Sequence, residues 1–268
     1  MDKKVEQAYK EMTLLYLKDE IFSWYPRTES GDYAKQDGWN RPYDYLDIAY
    51  KIIETHSSSF ELIDCVSNLK RAIDHRIKKI STDYQFKSMN RFGLPKESLQ
   101  KLEALGLAKP AIIKTITSIR NVVEHQFEDP PGVDRCSELA DFTWYFLKST
   151  DGVSRNIPNT FLLSNDFVSG YDDEFWLCFS IGDDKLWQGV SVYGWVKASH
   201  LSLQQTSELK INLETLQIRG ESERTEIDHQ VLAGLNGDAP LFVRGQCCFT
   251  DSAYVRLIHS YFSADRHL

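Results

Sequence analysis

At 268 residues, 42% hydrophobic and 26% charged, the chain has the make-up of a globular protein with one large or two modest domains. Its net charge of −8 argues against indiscriminate nucleic-acid binding. No apolar run approaches the roughly 20 residues that span a bilayer, and the opening MDKKVEQAYKEM has no apolar core of a secretory signal. The cysteines Cys65, Cys136, Cys178, Cys247 and Cys248 are odd in number and never spaced C-x-x-C. That pattern speaks against a disulfide framework or a zinc site and points to a reducing cytoplasm.

In chain order, Val5, Ala8, Met12, Leu15 and Tyr16 recur at helical spacing, which predicts a first helix stopped by Pro26. The polar stretch RTESGDYAKQDGWNRP separates it from a second helix through YDYLDIAYKIIETH. Leu62, Val66, Leu69, Ile73, Ile77 and Ile80 then mark one stripe of a long third helix. KESLQKLEALGL follows, with Gly106 as its C-cap. Lys109-Pro110 opens a helix through AIIKTITSIRNVVEHQF, with the proline in its first turn, and DPPG at 129–132 ends it. VDRCSELADFTWYFLKST supplies the last helix, with Cys136, Leu139, Phe142, Phe146 and Leu147 on its apolar side. Short connections between these helices favour an antiparallel bundle.

After DGVSRNIPN the character changes to β-branched and aromatic runs split by turn signals: FLLSNDF, EFWLCFSIG, LWQGVSVYGWV, ELKINLETLQIRG and PLFVRGQCCF. Phe175, Leu177, Phe179 and Ile181 share one face at period two, and the adjacent Cys247 and Cys248 would face opposite ways in a strand. ESERTEIDHQVLAG and DSAYVRLIHSYF read as helices. The expected fold class is α+β: an all-α antiparallel helical bundle over 1–151, then a β-rich α+β domain over 152–268. Residues 1–150 hold 22 Lys+Arg against 23 Asp+Glu, and residues 151–268 hold 9 against 16. The acidity therefore belongs mostly to the second part.

The segment RNVVEH at 120–125 carries the one constellation with a chemistry of its own. On a helical wheel Ile116, Ile119, Val122, Val123 and Phe127 share an apolar arc about 140° wide. Arg120 lies at its edge with Glu124 one turn on, and Asn121 and His125 are one turn apart on the far side. One reading is helix decoration: an i,i+4 ion pair beside two surface polar residues. The other is a site. Arg120 and His125 point about 140° apart, so a shared target needs two copies of the helix about a two-fold axis, hence a homodimer.

The helical order, NLKRAIDHRIKKI at 68–80, and IRNVVEHQF before a proline-rich break together resemble the HEPN domain over roughly residues 40–150. That family's signature is an arginine, commonly then Asn, Asp or His, with a histidine four to six residues after the arginine. Arg120, Asn121 and His125 match it. The resemblance implies a helical bundle that dimerises and cuts RNA without a metal or other cofactor, in a toxin or defence setting. Histidine suits general acid or base work near neutrality. Arginine suits a crowded phosphorane, with Asn121 on a phosphate oxygen or on His125 and Glu124 holding Arg120. Attack by the 2′-OH would exclude DNA. In the toxin branch a tyrosine often follows the histidine two residues on; here Phe127 stands there, so control through that hydroxyl is not expected. HEPN-like bundles also serve as non-catalytic nucleotide-binding or protein-interaction modules, in which RNVVEH would be a dimer-interface network.

Lys70, Arg71, Arg76, Lys78, Lys79, Lys87 and Arg91, opposed by Asp74 and Asp83, form the candidate RNA-backbone surface or else a solvated helix face. His75 reads as a neighbour of Asp74 or an exposed residue. Trp176, Trp187 and Trp195 suit cross-strand packing before a base-stacking platform. The pairs Asp172-Asp173 and Asp183-Asp184 lack metal-loop spacing. No phosphate loop, G-x-G-x-x-G, H-E-x-x-H or G-x-S-x-G is present. The expectation is an endoribonuclease with no cofactor and no membrane contact, whose acidic second part senses a trigger or docks a regulatory protein.

Overall fold

The computed structural model describes residues 14–33, 38–109, 132–165, 175–182, 189–205, 207–219 and 236–264, with the single positions 111, 114, 115, 118, 121 and 187. The fold is mixed α+β and divides into two compact units. A helical unit takes residues 32–90 and 94–157; a sheet unit takes the described residues of 1–31, 91–93 and 158–267.

In the helical unit, α1 (Arg41–Thr55) begins with Pro42 in its first turn, where a missing N–H costs nothing. The long α2 (Glu61–Asp83) buries the whole predicted stripe from Leu62 to Ile80. The short α3 (Ser98–Ala104) ends in a Schellman motif. There the Gly106 N–H donates to the Glu103 carbonyl and the Leu107 N–H to the Leu102 carbonyl, both at 2.9 Å, with Gly106 at φ +71°. Helix α4 (Val133–Ser149) buries Cys136, Leu139, Phe146 and Leu147, and α5 (Asp151–Arg155) follows at once. Helices α1, α2 and α4 pack on one another around these stripes.

The sheet unit carries β1 (Leu14–Leu17), β2 (Tyr25–Tyr33), β3 (Asn156–Ser164), β4 (Trp176–Ser180), β5 (Ser191–Lys197), β6 (Leu201–Ser202), β7 (Leu209–Ile218) and β8 (Pro240–Cys247). Their order is β2-β3-β4-β5-β8-β7-β1-β6. The pairs from β3 through to β6 are antiparallel, and a bulge between Leu213 and Thr215 breaks the β7–β8 register. Val192 and Val196 of β5, with Leu241 and Val243 of β8, fill one face at period two. The last helix, α6 (Asp251–Ser263), is capped by the Thr250 hydroxyl, which accepts from the Ala253 N–H at 3.4 Å. It adds Tyr254, Leu257, Ile258 and Tyr261 to the core. Tyr261 meets Phe161 edge-on at 5.6 Å and Trp187 at 5.1 Å, and its hydroxyl donates to the Pro158 carbonyl at 3.0 Å.

The structure corrects the N-terminal expectation. Leu14–Leu17 is a strand, not part of a helix, because Leu15 and Leu17 are both fully buried, a period of two. Strand β2 replaces the first half of the expected polar separator and tolerates Pro26 because it is an edge strand of the sheet. The boundary expected at residue 152 falls beside Ile157 and Pro158, and residues 14–31 and 91–93 join the sheet unit instead of the helical one. Val5, Ala8, Met12 and the segment ESERTEIDHQVLAG lie outside the described residues.

Candidate functional site

Positions 111, 114, 115, 118 and 121 are helical, as the proline-initiated helix requires. The Thr115 hydroxyl bonds back to the Ala111 carbonyl at 3.1 Å. Ala111, Lys114, Ser118 and Asn121 are exposed, at spacings of three, four and three. At about 100° per residue, Lys114, Ser118 and Asn121 fall within an arc of about 60°, so a cation, a hydroxyl and an amide share one solvent-facing stripe. Arg120, Glu124, His125 and Phe127 lie outside the described residues, as do Asp172, Asp173, Asp183 and Asp184.

The candidate RNA-backbone residues on α2 do not form one basic face. Arg76 is a correction: it is 1% exposed, so it cannot reach a phosphate backbone. Its Nη2 donates to Asp151 Oδ1 at 2.8 Å, and Nη1 donates to the Leu147 carbonyl and the Thr150 and Ser154 hydroxyls at 3.1–3.2 Å. Asp151 also accepts from the Tyr43 hydroxyl at 2.8 Å. Burial and that carboxylate push the Tyr43 phenol far above its usual range. Both terminal nitrogens of Arg76 and both Asp151 oxygens thus have protein partners, and the cluster serves to hold α2, α4 and α5 in register. Lys79 pairs with Asp83 at 2.8 Å, and Lys70 with Asp74 at 3.9 Å. Arg71 and Lys78 are exposed and seven residues apart, on one face of α2. Arg91 belongs to the sheet unit, where its guanidinium lies 4.4 Å from the Phe92 ring and donates to the Trp187 carbonyl.

His75 is not the partner of Asp74. It is half-buried beside Gly38, and its Nδ1 is buried without a hydrogen-bond partner. Burial, reinforced by Arg41 and Lys78, lowers its pKa below the ordinary histidine value.

In the sheet unit Trp187 stands apart from the cross-strand pair Trp176 and Trp195. Trp187 is fully buried at φ +69° against Tyr261. Trp176 and Trp195 face each other across β4 and β5 on the half-exposed side, and Phe242 continues that row on β8. Trp195 meets Phe242 at 5.6 Å, and the Arg219 guanidinium lies 5.3 Å from the Trp195 ring. Cys247 is buried and Cys248 exposed, as adjacent strand-end residues should be, and all five cysteines are free thiols.

Sequence patterns did not single out Lys101. It is 1% exposed, and its ammonium donates to the Phe86 carbonyl and to Asn90 Oδ1, both at 2.6 Å. The available signal was its register: Lys101 and Leu105 are one turn apart on the apolar side of α3. Among the described residues no helix is long and apolar enough to cross a membrane. Compared with protein-family models, with curated proteins and with solved structures, the chain matches none of them.

Proposed function

We propose that the protein is a metal-independent endoribonuclease whose helical unit is HEPN-like and whose composite site forms between two copies of the chain. His125 of one protomer takes the proton of an RNA 2′-OH or returns one to the leaving 5′-oxygen. Arg120 of the other protomer neutralises the phosphorane, and Asn121 holds a non-bridging phosphate oxygen. Glu124, one turn from Arg120, keeps the guanidinium in place. The products are a 2′,3′-cyclic phosphate and a 5′-hydroxyl, and DNA is not a substrate. The acidic sheet unit acts as a regulatory module that senses a trigger or receives a protein partner.

The observation that carries this reading is the exposed stripe of Lys114, Ser118 and Asn121. It leads into the RNVVEH segment with hydrogen-bond donors and a cation, and no carboxylate stands among those three residues. Such a surface suits a phosphodiester better than an apolar helix-to-helix seam. The test is cleavage of a fluorescent mixed-sequence RNA in excess chelator by wild type and His125→Ala, with both proteins checked for folding and dimerisation. Wild type is expected to cut and leave cyclic-phosphate ends, and the variant to lose about 10²–10⁴ in rate. Equal cutting by both would remove His125 from the site. A full-length chain that never cuts, tested also as residues 32–157, would leave RNVVEH as an interface network.

A further inference from the structure

A cavity of about 860 Å³ opens in the helical unit beside the C-terminal half of α2, the turn that follows it and the start of α3. That volume falls in the range of small-molecule sites, about 300–1,000 Å³. Lys78, Lys87, Lys96 and Lys101 line it, against the carboxylates Asp74 and Glu97. Lys70 already engages Asp74 at 3.9 Å, so the balance inside is cationic. Ile77, Phe86 and Leu99 supply apolar wall.

Two features separate this cavity from a group of surface lysines. Lys101 is 1% exposed, and the two acceptors it has, Phe86 O and Asn90 Oδ1, are both uncharged. An ammonium carries three donors, so one N–H has no protein acceptor among the described residues. A buried cation without a counter-charge is costly, and an anion in the cavity would supply the missing charge. Ser81 also lines the cavity, and its hydroxyl is buried without a hydrogen-bond partner. At the cavity wall Gln85 holds φ +47°, a left-handed conformation that non-glycine residues adopt at a cost. Its carbonyl accepts from both the N–H and the hydroxyl of Ser88 at 2.8 Å, which fixes the turn carrying Lys87. The Gln85 N–H donates to the Thr82 carbonyl at 3.1 Å and the Phe86 N–H to the Ser81 carbonyl at 2.9 Å, so this residue caps the C-terminus of α2 and sets the turn at the cavity wall. Burial also lowers the Lys101 pKa, the direction a bound anion would reverse.

We propose that this cavity binds a small phosphorylated ligand carrying two or more negative charges, held by Lys78, Lys87, Lys96 and Lys101 with Ser81 as a hydroxyl donor. The site is independent of Arg120 and His125, so it stands whether or not the protein cuts RNA. Its place within the helical unit makes it a ligand-responsive element of that unit.

The test is calorimetric titration of the full-length chain, in excess chelator, with tripolyphosphate, with ATP and with a mixed-sequence RNA 12-mer. Tripolyphosphate or ATP is expected to bind saturably and raise the melting temperature. Because Lys101 also ties down its own turn, the decisive variant is the exposed pair Lys87→Glu with Lys96→Glu. It should keep the ligand-free melting temperature and weaken binding by about tenfold or more. Ser81→Ala should weaken it by a smaller factor. Absence of saturable binding by both small ligands would overturn the proposal, as would affinity unchanged in the double variant. Lysine-dependent binding of the RNA alone would overturn the assignment to a small ligand.

Discussion

The two units of this protein fill their interiors with different materials. Among the described residues, the buried polar and charged side chains Asn68, Arg76, Lys101, Thr143, Thr150, Asp151 and Ser154 all belong to the helical unit, and only Ser164 to the sheet unit. The sheet unit is instead closed by rings, with Phe161, Phe179, Trp187, Phe249, Tyr254 and Tyr261 in successive aromatic contacts. Aromatic packing is tolerant of small shape changes but not of a blocked backbone. A buried charge network tolerates neither partner being lost, yet it can respond to a new charge. The difference teaches where to look for chemistry: the helical unit holds both the RNVVEH segment and the cationic cavity, whereas the sheet unit is built to stay as it is.

The largest expected effect breaks the sheet. Gly194 in β5 has φ +153°, and a Cβ there would collide with the Trp176 carbonyl oxygen and lie 2.9 Å from Leu177 Cα. Gly194→Ala should cost about 4 kcal/mol or more and remove the near-ultraviolet dichroism of the packed rings. A folded, near-wild-type Gly194→Ala would show that the β4–β5 contact is looser than described. Next comes the ion pair of the helical unit. Arg76→Met leaves Asp151 buried without its main partner and should cost about 3–5 kcal/mol in urea unfolding. Adding Asp151→Leu should recover most of that loss, because two matched apolar groups need no counter-charge. If the double variant is as unstable as the single one, the pair is not the organising contact.

A smaller effect is expected at Gly106, where the added Cβ meets open space but the backbone is left-handed. Gly106→Ala should cost about 1 kcal/mol, read as a shift in the urea midpoint at unchanged slope. The smallest is a pH effect in the sheet unit. His200 accepts from the Lys197 N–H at 3.2 Å, and burial outweighs the nearby Glu20 carboxylate to lower its pKa below the usual histidine value. The unfolded chain then takes up the proton first. Stability falls as pH drops from about 6.5 through the lowered pKa, and is unaffected by this group above that window. His200→Gln should flatten that acid-side loss; an unchanged acid limb would assign it to other groups.

Much of the helical unit was legible from one-dimensional pattern. The stripe from Leu62 to Ile80 and the stop at Gly106 both follow from local geometry, which a sequence states directly. The strand from Leu14 to Leu17 was not legible, since Leu15 and Tyr16 also suit a helix and only pairing with β6 and β7 decides. Arg76 was misread for a related reason. A charge on an amphipathic helix looks solvated until the distant Asp151, which buries it, is placed beside it. Lys101 was hidden in the same way. For RNVVEH the sequence supplied residue types and spacing, and the structure adds the helical, exposed position of Asn121.

The central claim is that the arginine and histidine of one site come from different protomers, and complementation tests it most directly. Arg120→Ala and His125→Ala are each expected to be inactive on RNA in chelator, and the two co-expressed in one dimer should regain cleavage, because the mixed dimer retains one intact arginine facing one intact histidine. Mixed dimers that stay inactive while wild type cuts would contradict a shared site.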